Sequence, residues 1–180
     1  MVTSSATDVG VGVDGGVDLA RVRRIVSEVP DPELPMLTLV DLGIVRQVDE
    51  SAGTVRVALT PTYLGCPALH EMRADVLQRL GRAGFTNVEV RIELAPAWST
   101  DWITAEGRRK LLEAGISPPE PAPRAVTGPV PIALSVDRPA NCPRCGSSDT
   151  ARTAAFGATA CRSLHRCLSC REPFEHVKEI

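Results

Sequence analysis

Four of the six cysteines fall into two pairs, Cys142-Pro143-Arg144-Cys145 and Cys167-Leu168-Ser169-Cys170, with 21 residues between them. A C-x-x-C turn aims two thiolates at one ion, and two such turns complete a tetrahedral four-sulfur site. Gly146 follows the first pair, where the backbone must turn sharply. The spacing predicts a zinc ribbon held by Cys142, Cys145, Cys167 and Cys170, although iron could occupy the same sulfurs. Such a closed site has no open coordination position, so it is structural rather than catalytic.

Cys66 and Cys161 stand outside the pairs. Cys66 ends Thr60-Pro61-Thr62-Tyr63-Leu64-Gly65-Cys66-Pro67, between a predicted strand and a predicted helix. Amides point outward at a helix start and favour negative charge, so the thiol is expected to ionise readily and to bind metal or attack an electrophile. Pro67 suits the first helical position. A buried, inert cysteine is the competing reading. His70, one turn along, makes a nucleophile–base pair with Cys66 conceivable, but also suits a plain polar helix position. Cys161 has Arg162, His165 and Arg166 near it; it is either packed inside the ribbon or a thiol for a second metal. Asp31-Pro32-Glu33-Leu34-Pro35 is a rigid acidic turn, readable as a solvated helix stop or as part of a site. Trp98 and Trp102 share one loop and could fill a pocket or cap the core edge.

Amphipathic elements must position these groups. Leu19, Val22, Ile25, Val26 and Val29 recur at helical spacing over Val17 to Val29, with Asp18 a possible cap and Pro30 and Pro32 as the stop. Gly43 to Val48 and Thr54 to Thr60 read as a hairpin turning through Asp49 to Gly53. Leu69, Met72, Val76, Leu77 and Leu80 stripe a helix to about Arg82. Val88 to Leu94 alternates apolar and charged residues as a half-buried strand does. Thr104 is placed to cap a short helix ending at Ala114, with Gly115 as its stop. The expected fold is α+β: an α-β-β-α-β-α domain over 17–117, then a small zinc-ribbon domain over 132–180. Residues 1–16 read as a disordered leader, and proline-rich 118–131 as a semi-rigid linker. Pro131 to Val136 could pair with the ribbon. A ribbon of this size buries little core, so its metal would supply most of its stability.

The 180 residues carry a net charge of -2, too little for a global field toward nucleic acid or membrane. From Arg138 onward there are seven basic and four acidic residues, which makes that region +3 and the remainder -5. No run approaches the ~18 apolar residues of a membrane helix. Met1 to Gly16 lacks the basic and apolar regions of a secretory signal, so a cytoplasmic protein is expected. Neither Glu-x-x-His pairs, nor a glycine-rich nucleotide fingerprint, nor a ferredoxin cysteine run is present, which argues against a di-iron oxygenase or a reductase subunit.

Asp31-Pro32-Glu33, Val40-Asp41-Leu42-Gly43-Ile44-Val45, the Thr60 to Pro67 stretch and Ala95-Pro96-Ala97-Trp98-Ser99 together resemble the metal–sulfur cluster assembly family. Thr100-Asp101-Trp102-Ile103, Gly107-Arg108-Arg109-Lys110-Leu111, Phe156-Gly157-Ala158-Thr159-Ala160-Cys161 and Glu172-Pro173-Phe174 extend the likeness to the family of D subunits of bacterial phenylacetyl-CoA epoxidase systems. The resemblance implies a small, often self-associating α/β domain with Cys66 as its functional thiol. It implies a non-catalytic accessory protein of phenylacetate catabolism that helps mature an oxygenase or reductase subunit. It leaves room for a homodimer, while the low net charge leads to no expected nucleic-acid or membrane partner.

On that expectation Cys66 holds iron or a labile iron–sulfur cluster. One thiolate is too few for a cluster, so a second protomer, the client protein, Cys161, or Asp31 and Glu33 must help. Carboxylates suit clusters poorly and would rather orient the Cys66 loop. Asp41, Thr60 and Thr62 are placed in the same supporting role, and the ribbon is expected to dock the client. A Cys66/His70 thiol enzyme and a zinc-ribbon adaptor for nucleic acid or protein are the alternative functions.

Overall fold

A computed structural model describes residues 17–63, 65–120 and 140–178. The expected leader, most of the linker and the Pro131 to Val136 segment lie outside them. Helix α1 (Leu19–Ser27) opens with Asp18 accepting the Arg21 amide at 3.0 Å. It buries Val22 and Val26. Strands β1 (Val45–Ser51) and β2 (Thr54–Leu59) form an antiparallel hairpin. The strands run closer to the turn than the sequence pattern suggests, leaving only Ala52 and Gly53 between them. Both have positive φ, 51° and 77°, the geometry of the tight turn whose twist matches the strands.

Helix α2 (Leu69–Arg82) then returns the chain to β3 (Val88–Ile92), which pairs parallel to β2. Sheet order is β1-β2-β3. Met72, Val76 and Leu80 of α2 join Val22 and Val26 of α1 over the inner residues Val55, Val57 and Leu59 of β2 in one apolar cluster. This is the packing that helical and alternating periodicities demand when each element has one apolar face. The strand stops at Ile92, short of Leu94, which is exposed. Helix α3 (Ala105–Glu113) is capped as expected, with Thr104 Oγ1 accepting the Gly107 amide at 2.9 Å. A Cβ on Gly107 would stand 2.5 Å from the Asp41 carbonyl oxygen, so glycine allows α3 to lie directly against that backbone.

A second sheet has the order β4-β7-β6-β5. Its last three strands, β5 (Thr150–Ala154), β6 (Arg162–Cys167) and β7 (Pro173–Val177), form an antiparallel meander. β4 is Ile116–Ser117, and it pairs parallel with β7 at Glu175 and His176. The sequence pattern ends the first domain at residue 117 and assigns no strand to Ile116 and Ser117. Instead these two residues bring a strand from the end of α3 to the ribbon's sheet. Val177 at the end of β7 is buried in the same apolar cluster as α1 and α2. The β4–β7 pairing therefore ties the chain leaving α3 to the ribbon, and Val177 ties the ribbon to the core of the first domain. No helix among the described residues is long and apolar enough to cross a membrane.

Candidate metal centre and the Cys66 cavity

Cys142 and Cys145 sit in a turn closed by the Gly146 amide on the Cys142 carbonyl (2.9 Å) and the Cys142 amide on the Ser147 carbonyl (2.9 Å). Gly146 has φ 73°, which glycine adopts without strain. Cys167 and Cys170 form the matching turn at the end of β6, where the Cys170 amide points at the Cys167 sulfur at 3.4 Å. That contact favours the Cys167 thiolate, while the neighbouring sulfurs push Cys170 and Cys145 the other way. All four sulfurs lie within 4.8 Å of one another. The Cys142–Cys170 and Cys145–Cys167 separations are 3.7 and 3.6 Å. A tetrahedron with metal–sulfur bonds of about 2.3 Å has edges of about 3.8 Å, so this donor set fits zinc.

Cys66 lies three residues before α2 rather than in its first turn, because the helix begins at Leu69 with Ala68 as cap. Pro67 therefore precedes the helix. The Cys66 carbonyl accepts the Leu69 amide at 3.3 Å. The expected ionisation of the thiol is reversed. Burial pushes Cys66 up, and the nearby Glu33, Cys161 and Asp31 add to this, against the lowering effect of the Ala68 amide. The amide contribution anticipated from a helix start is real, but desolvation outweighs it.

The half-buried Cys66 faces a cavity of about 30 Å³. Asp31, Glu33 and Thr62 line it from the first domain, and Cys161, Arg162 and Lys178 from the ribbon. Asp31 is 4% exposed, so the acidic turn is no solvated helix stop. Its Oδ1 accepts the Glu33 and Leu34 amides at 2.9 and 2.8 Å, which fixes the turn. Burial raises the carboxyl of Asp31 despite those two bonds, and burial together with Asp31 raises that of Glu33.

The other expected supporting residues separate. Asp41 is not in this cavity. Its carboxylate accepts the Thr38 amide at 2.9 Å and pairs with Lys110 of α3 at 2.7 Å. Burial raises the Asp41 carboxyl, but Lys110 and Thr38 outweigh it and hold the group below its ordinary value. Asp41 thus fastens α3. Thr60 is buried and lines a neighbouring groove with Tyr63 and Leu94, a groove that Thr62 also borders. Trp98 is buried, donates to the Leu42 carbonyl at 2.8 Å and walls both hollows. Trp102 carries the Arg46 guanidinium 3.4 Å from its ring centre. The sequence reading leaves Cys161 inside the ribbon, at a second metal or beside Cys66, and the structure puts both thiols in the lining of one cavity. Charge and periodicity carry no signal for a contact between residues so far apart in the chain.

His70 borders a shallow surface hollow shared with Cys66. No hydrogen bond joins the two among the described residues.

Comparison with known proteins assigns both parts of the chain. Residues 19–94 match the iron–sulfur cluster assembly protein family, and 127–178 match the PaaD zinc beta ribbon domain. The chain is thus a cluster-assembly-type domain followed by a zinc ribbon. It is 43% identical over 156 residues to a protein of Escherichia coli named provisionally as the D component of 1,2-phenylacetyl-CoA epoxidase, covering 87% of this chain and 90% of that one. The chain belongs to that family of epoxidase D components. Among solved structures, a domain of unknown function (DUF59) from Bacillus anthracis is 25% identical, covering 52% of this chain and 90% of that one, with a TM-score of 0.48. A conserved hypothetical protein from Thermotoga maritima is 28% identical, covering 53% and 95%, with a TM-score of 0.46.

Proposed function

We propose that this chain is a non-catalytic maturation factor for a multicomponent phenylacetyl-CoA epoxidase, assisting insertion of iron or an iron–sulfur cluster into an oxygenase or reductase subunit. The observation that carries this reading is the setting of Cys66: a half-buried thiol in the cluster-assembly-type domain that lines one cavity with Asp31, Glu33 and Cys161 and with the cations Arg162 and Lys178. Thiolate is the natural ligand of iron in clusters. A thiol held neutral by burial gives up its proton when a cation arrives, so uptake and release are coupled to proton exchange. Zinc would be held by Cys142, Cys145, Cys167 and Cys170, where it fastens the two turns of the ribbon and takes no part in transfer.

The thiol-enzyme alternative draws less support. A nucleophilic cysteine needs a lowered pKa or a bonded base. Burial moves Cys66 the other way, and His70 makes no hydrogen bond to it.

The reading is tested by co-expressing Cys66→Ala with the epoxidase subunits and measuring iron and acid-labile sulfide in the purified oxygenase and reductase. Client protein with normal abundance but several-fold less metal is expected. Full loading by the variant would overturn the proposal.

A further inference from the structure

Strand β3 lies at the edge of the first sheet, whose order is β1-β2-β3. One side of it is spent on β2: the Asn87 carbonyl accepts the Val55 amide and the Glu93 amide donates to the Leu59 carbonyl, each at 2.9 Å. Amides and carbonyls alternate in direction along a strand, so those of Val88, Val90 and Ile92 point away from the sheet. No described strand pairs with them. Among the described residues, Arg73 of α2 reaches this edge, with Nε donating to the Val90 carbonyl at 3.2 Å. A carbonyl oxygen has two lone pairs, so one is left.

Proteins ordinarily blunt such an edge with proline, lysine, a bulge or a covering element. The opposite edge follows that rule: β1 has a register shift between Val45 and Gln47 and carries the adjacent acids Asp49 and Glu50. β3 reads Val88-Glu89-Val90-Arg91-Ile92, with neither proline nor lysine and no register shift against β2. Reversed upon itself about Val90, this sequence is self-complementary. Glu89 falls opposite Arg91, Val88 opposite Ile92, and Val90 opposite Val90. The residues whose backbone groups point outward are then the ones that face each other, as hydrogen-bonded antiparallel pairs require. Sliding by two residues, the smallest step that keeps such pairs, sets Glu89 against Glu89 or Arg91 against Arg91, which like charge disfavours. The Glu89 and Arg91 side chains are 44% and 52% exposed, and so available to a second strand. Val88 and Ile92 are only partly buried against the core.

We propose that this chain forms a homodimer by antiparallel pairing of β3 with β3 of a second copy, centred on Val90, which joins two three-stranded sheets into one of six strands. The interface is isologous, since each copy offers the same strand in the same register. Two Glu89–Arg91 pairs flank the two-fold axis on the solvent face, and two Val88–Ile92 pairs flank it on the inner face. A strand of five residues buries little area, so the dimer is concentration-dependent rather than permanent. Ile92 also borders the surface hollow beside Cys66, and the pairing brings Val88 of the second copy to the rim of that hollow. The pairing holds whatever the role of Cys66.

Sedimentation velocity of the full-length, zinc-loaded protein from low to high micromolar concentration tests this. The wild type is expected to pass from monomer to dimer. Glu89→Arg sets two arginines opposite each other and Arg91→Glu sets two glutamates, so each variant should dimerise about tenfold more weakly. Mixing the two variants restores opposite charges at both positions and should yield a dimer with one copy of each, a rescue that a folding fault in either would not allow. The double variant Glu89→Arg/Arg91→Glu should dimerise as the wild type does. A wild type that stays monomeric throughout overturns the proposal, as does a mixture of the single variants that stays monomeric. A dimer that both single variants leave intact overturns it by placing the interface on another face. A monomeric wild type whose β3 amides gain exchange protection only when an oxygenase or reductase subunit is added overturns it by giving the edge to a different chain.

Discussion

Nδ1 of His176 lies 3.2 Å from Oγ of Ser117, across the parallel pairing of β4 with β7 that ties the first domain to the ribbon. Burial lowers the His176 pKa, against the smaller opposing effect of Ser117. An unfolded histidine titrates near ~6.5. The native state therefore binds its proton less readily than the unfolded chain, and the penalty grows as pH falls below that value. The zinc-loaded protein should lose stability as pH falls from about 7 to 5.5, a window set by that reference value. In His176→Gln this part of the slope should flatten. An identical slope in the two proteins would remove His176 as its source.

Zinc removal should act beyond the four cysteines. The ribbon's own small apolar cluster consists of Ala140, Cys142, Cys167 and Phe174, two of them metal ligands. Without metal that cluster has little to hold it. After chelation, amide hydrogen exchange should accelerate in β5, β6, β7 and β4 while β1, β2 and β3 keep their protection. Retained protection in β6 and β7 would show that the ribbon stands without its metal.

Glu33→Gln should stabilise the protein at neutral pH. The Glu33 carboxyl is raised by burial and by Asp31, so its stabilising contribution exists at acid pH and is lost as pH rises through the folded pKa. At neutral pH the charge is therefore a liability to the fold. A higher thermal midpoint of Glu33→Gln at neutral pH, with the gain vanishing in acid, is the signature. An unchanged or lower midpoint would count against it.

Gly107→Ala separates two opposed effects. Alanine is the better helix former by about 1 kcal/mol, but its Cβ meets a backbone carbonyl that has little room to yield. Overpacking of that kind costs about 1–3 kcal/mol. Net destabilisation is expected, visible as a lowered midpoint in denaturant. A gain in stability would mean that α3 can shift away from Asp41 at little cost.

Much of this architecture is legible in local pattern. The stripe Met72, Val76, Leu80 marks α2, the alternation Val55, Val57, Leu59 marks β2, and the α+β class follows. The four-cysteine spacing anticipates the convergence of sulfurs, because a C-x-x-C turn fixes its own geometry. What local pattern does not carry is non-local. Ile116 and Ser117 are too few to show a strand period, and their partner is in β7. The Cys66 thiol is misjudged from sequence because helix-end amides can be read there, whereas desolvation depends on what covers the site. Motif groups Asp41 with the site, but its carboxylate is occupied by Lys110.

Val177 gives the domain boundary a consequence for synthesis. It is 6% exposed within the apolar cluster of α1 and α2, yet it ends the ribbon's last strand and is translated long after them. The first domain therefore leaves the ribosome with its cavity wall incomplete, and Cys66 stays open to solvent until β7 arrives. That interval is a window in which the Cys66 thiol is more accessible than in the finished fold.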